Sequence, residues 1–296
     1  MTGTSPGMRA LQWTVAAGLI FCLLNTLMRT LTQQMHPLQA QLLRYLFGLL
    51  VLLPLVLRHG IKIYMPNSIP GQLWRGAAHT VGLMLWFSAL PMIPLADMTA
   101  LGFTGPIFIM IGAWLFLGER MRWDRWAATL FSFAGVLIVV GPKLSGDGGW
   151  YHLVMLASAP MFAASFLLTK ALTRNESNNT ILIWQHLTVT LFSLPLALPV
   201  WQAVNAWQWL GFVACGLLGV SSHWCMTQGL RLADISATQS VKFLDLIWAS
   251  LAGWLVFAQH PTQSTLIGGV VICAATLWLA RRESHAGAVA RARPAT

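Results

Sequence analysis

Residues 95–120 read LADMTALGFTGPIFIMIGAWLFLGER, and residues 232–259 read LADISATQSVKFLDLIWASLAGWLVFAQ. Both segments open on Leu-Ala-Asp, and Trp114-Leu115-Phe116 in the first is answered by Trp254-Leu255-Val256 in the second. Working outward, Pro54 is matched by Pro195 and Arg29 by Lys170, so that all the matches fall in order at offsets of 137 to 141. Any one of these pairs is a weak signal, but their common order and spacing describe a duplicated chain. The Gly- and Pro-bearing stretch Pro142–Gly149 divides the copies.

Composition says what solvent the copies live in. Charged residues make up 9% of the 296 positions, against about 25% in a soluble protein. Hydrophobic residues reach 56% and the mean hydropathy is +0.66, more apolar surface than one water-soluble core of this size can bury. At roughly 20 residues per membrane-spanning helix, ten helices use about 200 residues and leave short loops. Apolar runs of that length fall at 10–32, 37–57, 72–93, 95–117, 124–141, 151–171, 179–200, 206–229, 235–258 and 262–281. With the N-terminus inside, 14 of the 18 Lys and Arg residues lie in cytoplasmic segments (Arg75 and Lys170 among them), while Arg29 and Lys143 lie outside and Arg44 and Lys242 within spans. That bias is what the positive-inside rule expects of ten helices with both termini in the cytoplasm. Five helices per copy is an odd number, so the copies insert in opposite orientation. The expected organisation is an all-α membrane protein: a first repeat at 1–141, a periplasmic linker at 142–150, a second repeat at 151–282 and a cytoplasmic tail at 283–296.

Several function classes drop out. The net charge of +10 is spread over many loops, with no basic stripe interleaved with aromatics, so no nucleic-acid partner is expected. Cys22, Cys215, Cys225 and Cys273 sit inside apolar runs without C-x-x-C spacing, which indicates neither a disulfide framework nor a metal site. The polar Met1–Ala10 leads into a full-length apolar segment without an A-x-A-like cleavage site, which reads as a retained first helix. No Walker A, H-E-x-x-H or G-x-S-x-G motif occurs, and the eight Asp and Glu are scattered, so neither an enzyme nor a bound cofactor is expected.

Ten helices arranged as two five-helix copies resemble the drug/metabolite transporter superfamily in its EamA-domain branch. The resemblance is carried most specifically by Pro91, Leu95-Ala96-Asp97, Pro106, Trp114 through Arg120 and Gly135, and by Leu232-Ala233-Asp234 through Phe257 with Gly268-Gly269 in the second copy. The second copy departs from the family pattern at Gln259, where the family usually has Glu, and at Lys242–Asp245, which occupies the region of Pro106. The resemblance implies a secondary transporter in the bacterial inner membrane, exporting small metabolites such as amino acids. A polyspecific exporter of drugs or lipophilic cations is the alternative within the same class.

Inverted repeats place their solute site near the midplane, where the copies meet, so polar residues at that depth are the candidates. An ionisable group there costs about 2.5–3.5 kcal/mol on insertion scales and needs a reason. Lys242 and Asp245 are i,i+3 neighbours on one helical face, beside Gln239. They read either as a self-neutralising packing pair or as a clamp for a zwitterion on a water-filled cavity. His79 and Trp86 lie seven apart on span 3, two turns on the same side. Gln185, Asn25 and Trp248 complete the candidate set, Asn25 reading equally as interhelical glue. Arg44, about seven residues from the outer end of span 2, reads as a side chain snorkelling to the interface. Spans 5 and 10 are nearly free of polar groups and carry Gly135, Gly268 and Gly269, which suits a lipid-facing surface or a homodimer contact.

Overall fold

Proline and capping side chains set where the helices begin. Pro37 and Pro70 occupy the first turns of their helices, where a missing N–H costs nothing. The Ser68 and Ser177 hydroxyls accept the N–H groups of Gly71 at 3.2 Å and Thr180 at 3.0 Å. At the other end of the helix opened by Pro37, Gly60 turns the chain at φ +82°, with its N–H on the Val56 carbonyl. The computed structural model describes residues 6–102, 104–105, 107–109, 111, 123–144, 149–232 and 244–292. Its helices are α1 (Pro6–Thr32), α2 (Pro37–His59), α3 (Ile69–Ala89), α4 (Leu95–Gly102), α5 (Trp123–Leu144), α6 (Gly149–Leu172), α7 (Asn178–Ala197), α8 (Ala206–Leu232), α9 (Leu244–Phe257) and α10 (Gln263–Ala292). There is no strand among the described residues.

The packing repeats when every helix index is advanced by five. The most extensive contacts join α1 to α8 and α3 to α6, which are images of each other, and α5 to α10, which is its own image. Likewise α2 lies on α8 as α7 lies on α3, while α2–α7 and α4–α9 are self-images. The halves therefore interleave, and the core formed by Leu24, Met28, Leu43, Phe87, Leu101, Met155, Phe212 and Ile272 belongs to both. Arg29, at the C-terminal end of α1, reaches Ile93 just beyond the C-terminal end of α3. Leu172, at the C-terminal end of α6, lies beside Gly71 at the N-terminal end of α3. The first helices of the two halves thus run in opposite directions.

Polarity is turned inside out relative to a soluble fold. Leu57, Leu130, Phe131, Leu255 and Val270 are exposed, whereas Arg29, Arg44, Gln72, Arg75, Asp97, Gln185, His186 and His223 are buried. Water would not tolerate that outer surface, but hydrocarbon matches it, and each buried polar group then needs a partner inside. Among the described residues five helices (α1, α2, α6, α7 with its trailing turn, and α8) are long and apolar enough to cross a bilayer by length and composition. On α3, hydropathy gives way to the polar column Gln72, Arg75, His79 and Thr80, buried except for the half-buried His79.

Two expectations change. Gly135 and Gly268, expected against lipid or a second subunit, meet across the crossing of α5 and α10, whose backbones approach so closely that a methyl group on Gly135 would lie 2.5 Å from Ile272 Cγ1. Only a helix without side chains at the crossing can pack that tightly. The tail expected from residue 283 instead continues α10 to Ala292.

Candidate functional site

Helices from both halves line a cavity of about 300 Å³, within the range of small-molecule sites. One side is aromatic. Trp86 of α3 meets Phe162 of α6 edge to face with ring centroids 5.7 Å apart, and Phe21 of α1 joins the lining. Gly82 makes this wall possible, because a methyl group there would sit 3.0 Å from the Phe162 ring.

The adjoining edge is polar, His79 meeting the Phe162 ring at 5.3 Å, and one arginine sets its donor and acceptor pattern. Arg75 donates from Nε to the Thr169 hydroxyl at 2.6 Å, from Nη1 to the Ile181 carbonyl at 2.9 Å, and from Nη2 to Gln185 Oε1. A guanidinium only donates, so the Gln185 amide must turn its oxygen to Arg75 and its NH₂ outward. That NH₂ lies 3.0 Å from His79 Nε2, which must therefore accept. The Tyr45 hydroxyl, 2.8 Å from the same nitrogen, donates to it as well. The ring proton of His79 is left on Nδ1, which donates to Ser165 Oγ at 3.2 Å. Arg75 thus fixes the tautomer of His79 through Gln185, in an order that leaves the imidazole neutral.

Two further imidazoles surround Tyr45. His186 and His223 each direct Nδ1–H to a carbonyl four residues back, Leu182 at 2.9 Å and Gly219 at 2.8 Å. Their ring centroids lie 5.1 Å and 6.4 Å from that of Tyr45, with His79 at 6.1 Å. Gly48 leaves room for His186, since a methyl group there would overlap its ring. Among the described residues no group of three His, Cys, Asp or Glu could hold a metal ion. Arg44 lies against the same tyrosine, its Cζ 4.5 Å from the ring centroid and 5.7 Å from that of Phe87.

Each end of the helix bundle carries a cation on a carbonyl. At one end Arg29 donates to the Ile93 carbonyl and lies over the Phe257 ring at 4.9 Å. Beside it the Asp97 carboxylate, 1% exposed, accepts His152 Nε2–H at 3.0 Å and the Thr265 hydroxyl, tying α4 to α6 and α10. At the other end Lys170 donates to the Leu230 carbonyl at 2.8 Å. Ile93 and Leu230 stand two residues before the two Leu-Ala-Asp motifs, so these bonds are images under exchange of the halves. Beyond Lys170, Glu176 accepts the N–H groups of Asn67 at 2.7 Å and Ser68 at 3.2 Å, joining the loop before α3 to the α6–α7 turn.

Of the residues singled out from sequence, His79, Trp86, Asn25, Gln185 and Asp245 line the cavity. Asp245 lies against α1 at Gly18, where a methyl group would overlap its carboxylate. Lys242 and Gln239 lie outside the described residues. Trp248 does not line this cavity, and its Nε1 is buried without a hydrogen-bond partner. Arg44 does not snorkel: it is 4% exposed and faces the cavity. Arg75, assigned from sequence to a cytoplasmic segment, is 2% exposed inside α3, where three acceptors across α6 and α7 satisfy it. Sequence reading passed over Tyr45 and Ser165 as well. One signal for this edge was present, since Gln72, Arg75 and His79 fall at i, i+3 and i+7, one polar face on an otherwise apolar helix.

Comparison with known proteins agrees with this architecture. Residues 8–141 and 149–281 each match the EamA-like transporter family. A riboflavin transporter of Rhizobium johnstonii is 34% identical over 274 residues, 92% of this chain and 90% of that protein. An S-adenosylmethionine uptake transporter of Rickettsia felis is 26% identical over 262 residues, 88% of this chain and 89% of that one. A crystal structure at 18% identity superposes with a TM-score of 0.67 over 92% of this chain and 98% of that one, a likeness of fold.

Proposed function

The chain belongs to the EamA-like transporter family, and from that premise we propose that it carries a planar heteroaromatic metabolite of the riboflavin type by alternating access. Membership makes it a multi-pass protein of the bacterial inner membrane and a secondary transporter of small metabolites, not an enzyme. The solute class rests on one observation. Trp86 and Phe162 form an aromatic wall beside the polar edge of His79, Gln185 and Arg44 in a single cavity. A flat ring system stacks on such a wall while its heteroatoms meet the polar edge. The name of the Rhizobium relative points the same way, its solute carrying a fused heteroaromatic ring.

In this reading the ten apolar segments all span the bilayer, both termini are cytoplasmic, and the 142–150 linker is periplasmic. The Arg29 end is then the periplasmic gate and the Lys170 end the cytoplasmic one. The sequence holds no Walker A motif, so net direction follows the gradients across the membrane, and export and uptake are two settings of one carrier. Amino-acid export remains a second reading, favoured by the placement of Asp245 on the cavity wall.

Purified protein in liposomes decides between them. Flux of riboflavin, amino acids and lipophilic cations is measured with and without a proton gradient. Saturable riboflavin flux is the expected result. Amino-acid flux without riboflavin flux favours the second reading, and flux of lipophilic cations alone refutes both.

A further inference from the structure

Arg44 is a buried cation that, among the described residues, is met by aromatic rings and not by a carboxylate. It sits mid-helix in α2, 4% exposed, with its side chain on the cavity wall. Among the described residues no carboxylate pairs with it, and its Nε has no hydrogen-bond partner. The surrounding rings supply no negative charge either. Tyr45 donates its hydroxyl to His79, and all three imidazoles direct Nδ1–H to other acceptors. Asp245 faces the cavity from α9, which packs on α1 and α4, whereas the neighbours of Arg44 are Phe87 of α3 and Gly219 of α8. The two charges therefore occupy different walls.

The arginine is nevertheless held in place. Its guanidinium is seated over the Tyr45 ring at 4.5 Å, and Gly219, with no side chain, leaves it room, so that Nε lies 3.5 Å from where a methyl group would stand. A buried charge without a partner is costly, and a cavity that keeps one oriented toward its lumen has a use for it. We propose that Arg44 reads the solute. Its fork takes the acceptor edge of a planar heteroaromatic ring, either ring carbonyls or delocalised negative charge, while cations of similar size are turned away. This rests on the cavity being the solute site, and it adds what that site selects. A guanidinium suits the task because it presents paired donors in a plane, matching paired acceptors on a ring edge.

The test uses full-length protein in lipid nanodiscs, as wild type, Arg44→Gln and Arg44→Lys. Calorimetry measures binding of riboflavin, whose ring carries two carbonyls on one edge, and of tetraphenylphosphonium as cationic counter-probe. The thermal midpoint of each ligand-free variant is recorded in parallel. Arg44→Gln loses roughly ten- to a hundred-fold in riboflavin affinity, the scale of hydrogen bonds to a charged group, and gains affinity for tetraphenylphosphonium. Its ligand-free midpoint equals or exceeds that of wild type, because an uncompensated charge has been removed. Arg44→Lys keeps the charge without the fork and falls between the two in riboflavin affinity. Wild-type binding with Arg44→Gln within twofold of it overturns the assignment of Arg44 alone. A lowered midpoint with unchanged affinity does the same, leaving Arg44 a packing role. Wild-type protein that binds no riboflavin overturns the proposed solute, and this assignment with it.

Discussion

Replacing Gly268 with alanine places a methyl group 2.6 Å from the Gly135 carbonyl oxygen and 2.5 Å from Val139 Cγ2. The carbonyl belongs to the backbone of α5 and cannot rotate away. Ordinary contact begins near 3.4 Å, so the α5–α10 crossing must open by roughly 0.8 Å to admit the substitution. A gap of that size forfeits about a quarter to a half of each dispersion contact along the seam, and overpacking of this kind costs about 1–3 kcal/mol. At about 2–4 °C per kcal/mol, taken from soluble domains of comparable length, the melting temperature falls by roughly 2–12 °C. Gly141→Ala, on α5 with nothing within 4 Å, supplies the control. It is expected to be neutral or slightly stabilising, since alanine exceeds glycine by about 0.5–1 kcal/mol within a helix. Thermal unfolding in detergent, with size-exclusion chromatography alongside, measures both. The reasoning is refuted if Gly268→Ala melts with wild type while its oligomeric state changes, for the glycine would then serve a second subunit.

His79→Ala and Trp86→Ala, each folded and inserted, should lose at least about fivefold in riboflavin flux, given the 1–3 kcal/mol cost of stranding a buried polar partner and the loss of a large stacking surface. Wild-type flux in both removes them from the site. Ala258 adopts φ +51°, the left-handed region, so Ala258→Gly should raise unfolding stability by about 1 kcal/mol; a lowered melting temperature would contradict this. Cysteine placed at Thr99 on the cavity wall reports on the gates. Arg29→Met should increase its labelling from the periplasm and Lys170→Met from the cytoplasm, whereas identical labelling in both variants would show that the two bonds gate nothing. Ser145, in the linker and outside the described residues, should label as cysteine only from the periplasm, and cytoplasmic labelling would overturn the proposed orientation.

How much of this was readable from one sequence depended on whether a residue's meaning lay in its own helix or in a neighbour. Spans such as α2 and α6 announce themselves because hydrocarbon selects long apolar runs, whatever packs beside them. His79 and Trp86 were legible because two turns of one helix place them together, and Gln185 because its depth alone marks it. Gly135 and Gly268 were assigned to the outer surface because a small residue signals close approach without saying to which helix. Arg75 was counted with the cytoplasmic cations because a charge tally cannot see Thr169, Ile181 and Gln185 waiting across two interfaces. Arg44 was sent to the membrane surface for a similar reason: snorkelling is the ordinary fate of a lone arginine, and the rings that hold Arg44 inward include one on another helix.

The paired bonds at the two ends of the bundle set a rule for energetic bias. On the proposed alternating-access reading, exchanging the roles of two identical halves would turn the outward-open state into the inward-open state, and the two would be equally populated by symmetry alone. Every departure from equal population must then arise where the repeats differ. Arg29 faces Ile93 with Phe257 beneath it, while its image Lys170 faces Leu230 with a compact ammonium. At the offset that pairs Arg29 with Lys170, His152 falls opposite Leu11, a side chain that cannot make the bond His152 makes to Asp97. Since about 1.4 kcal/mol shifts a two-state ratio tenfold, a few such unmatched positions suffice to decide which face of the membrane the empty carrier waits on.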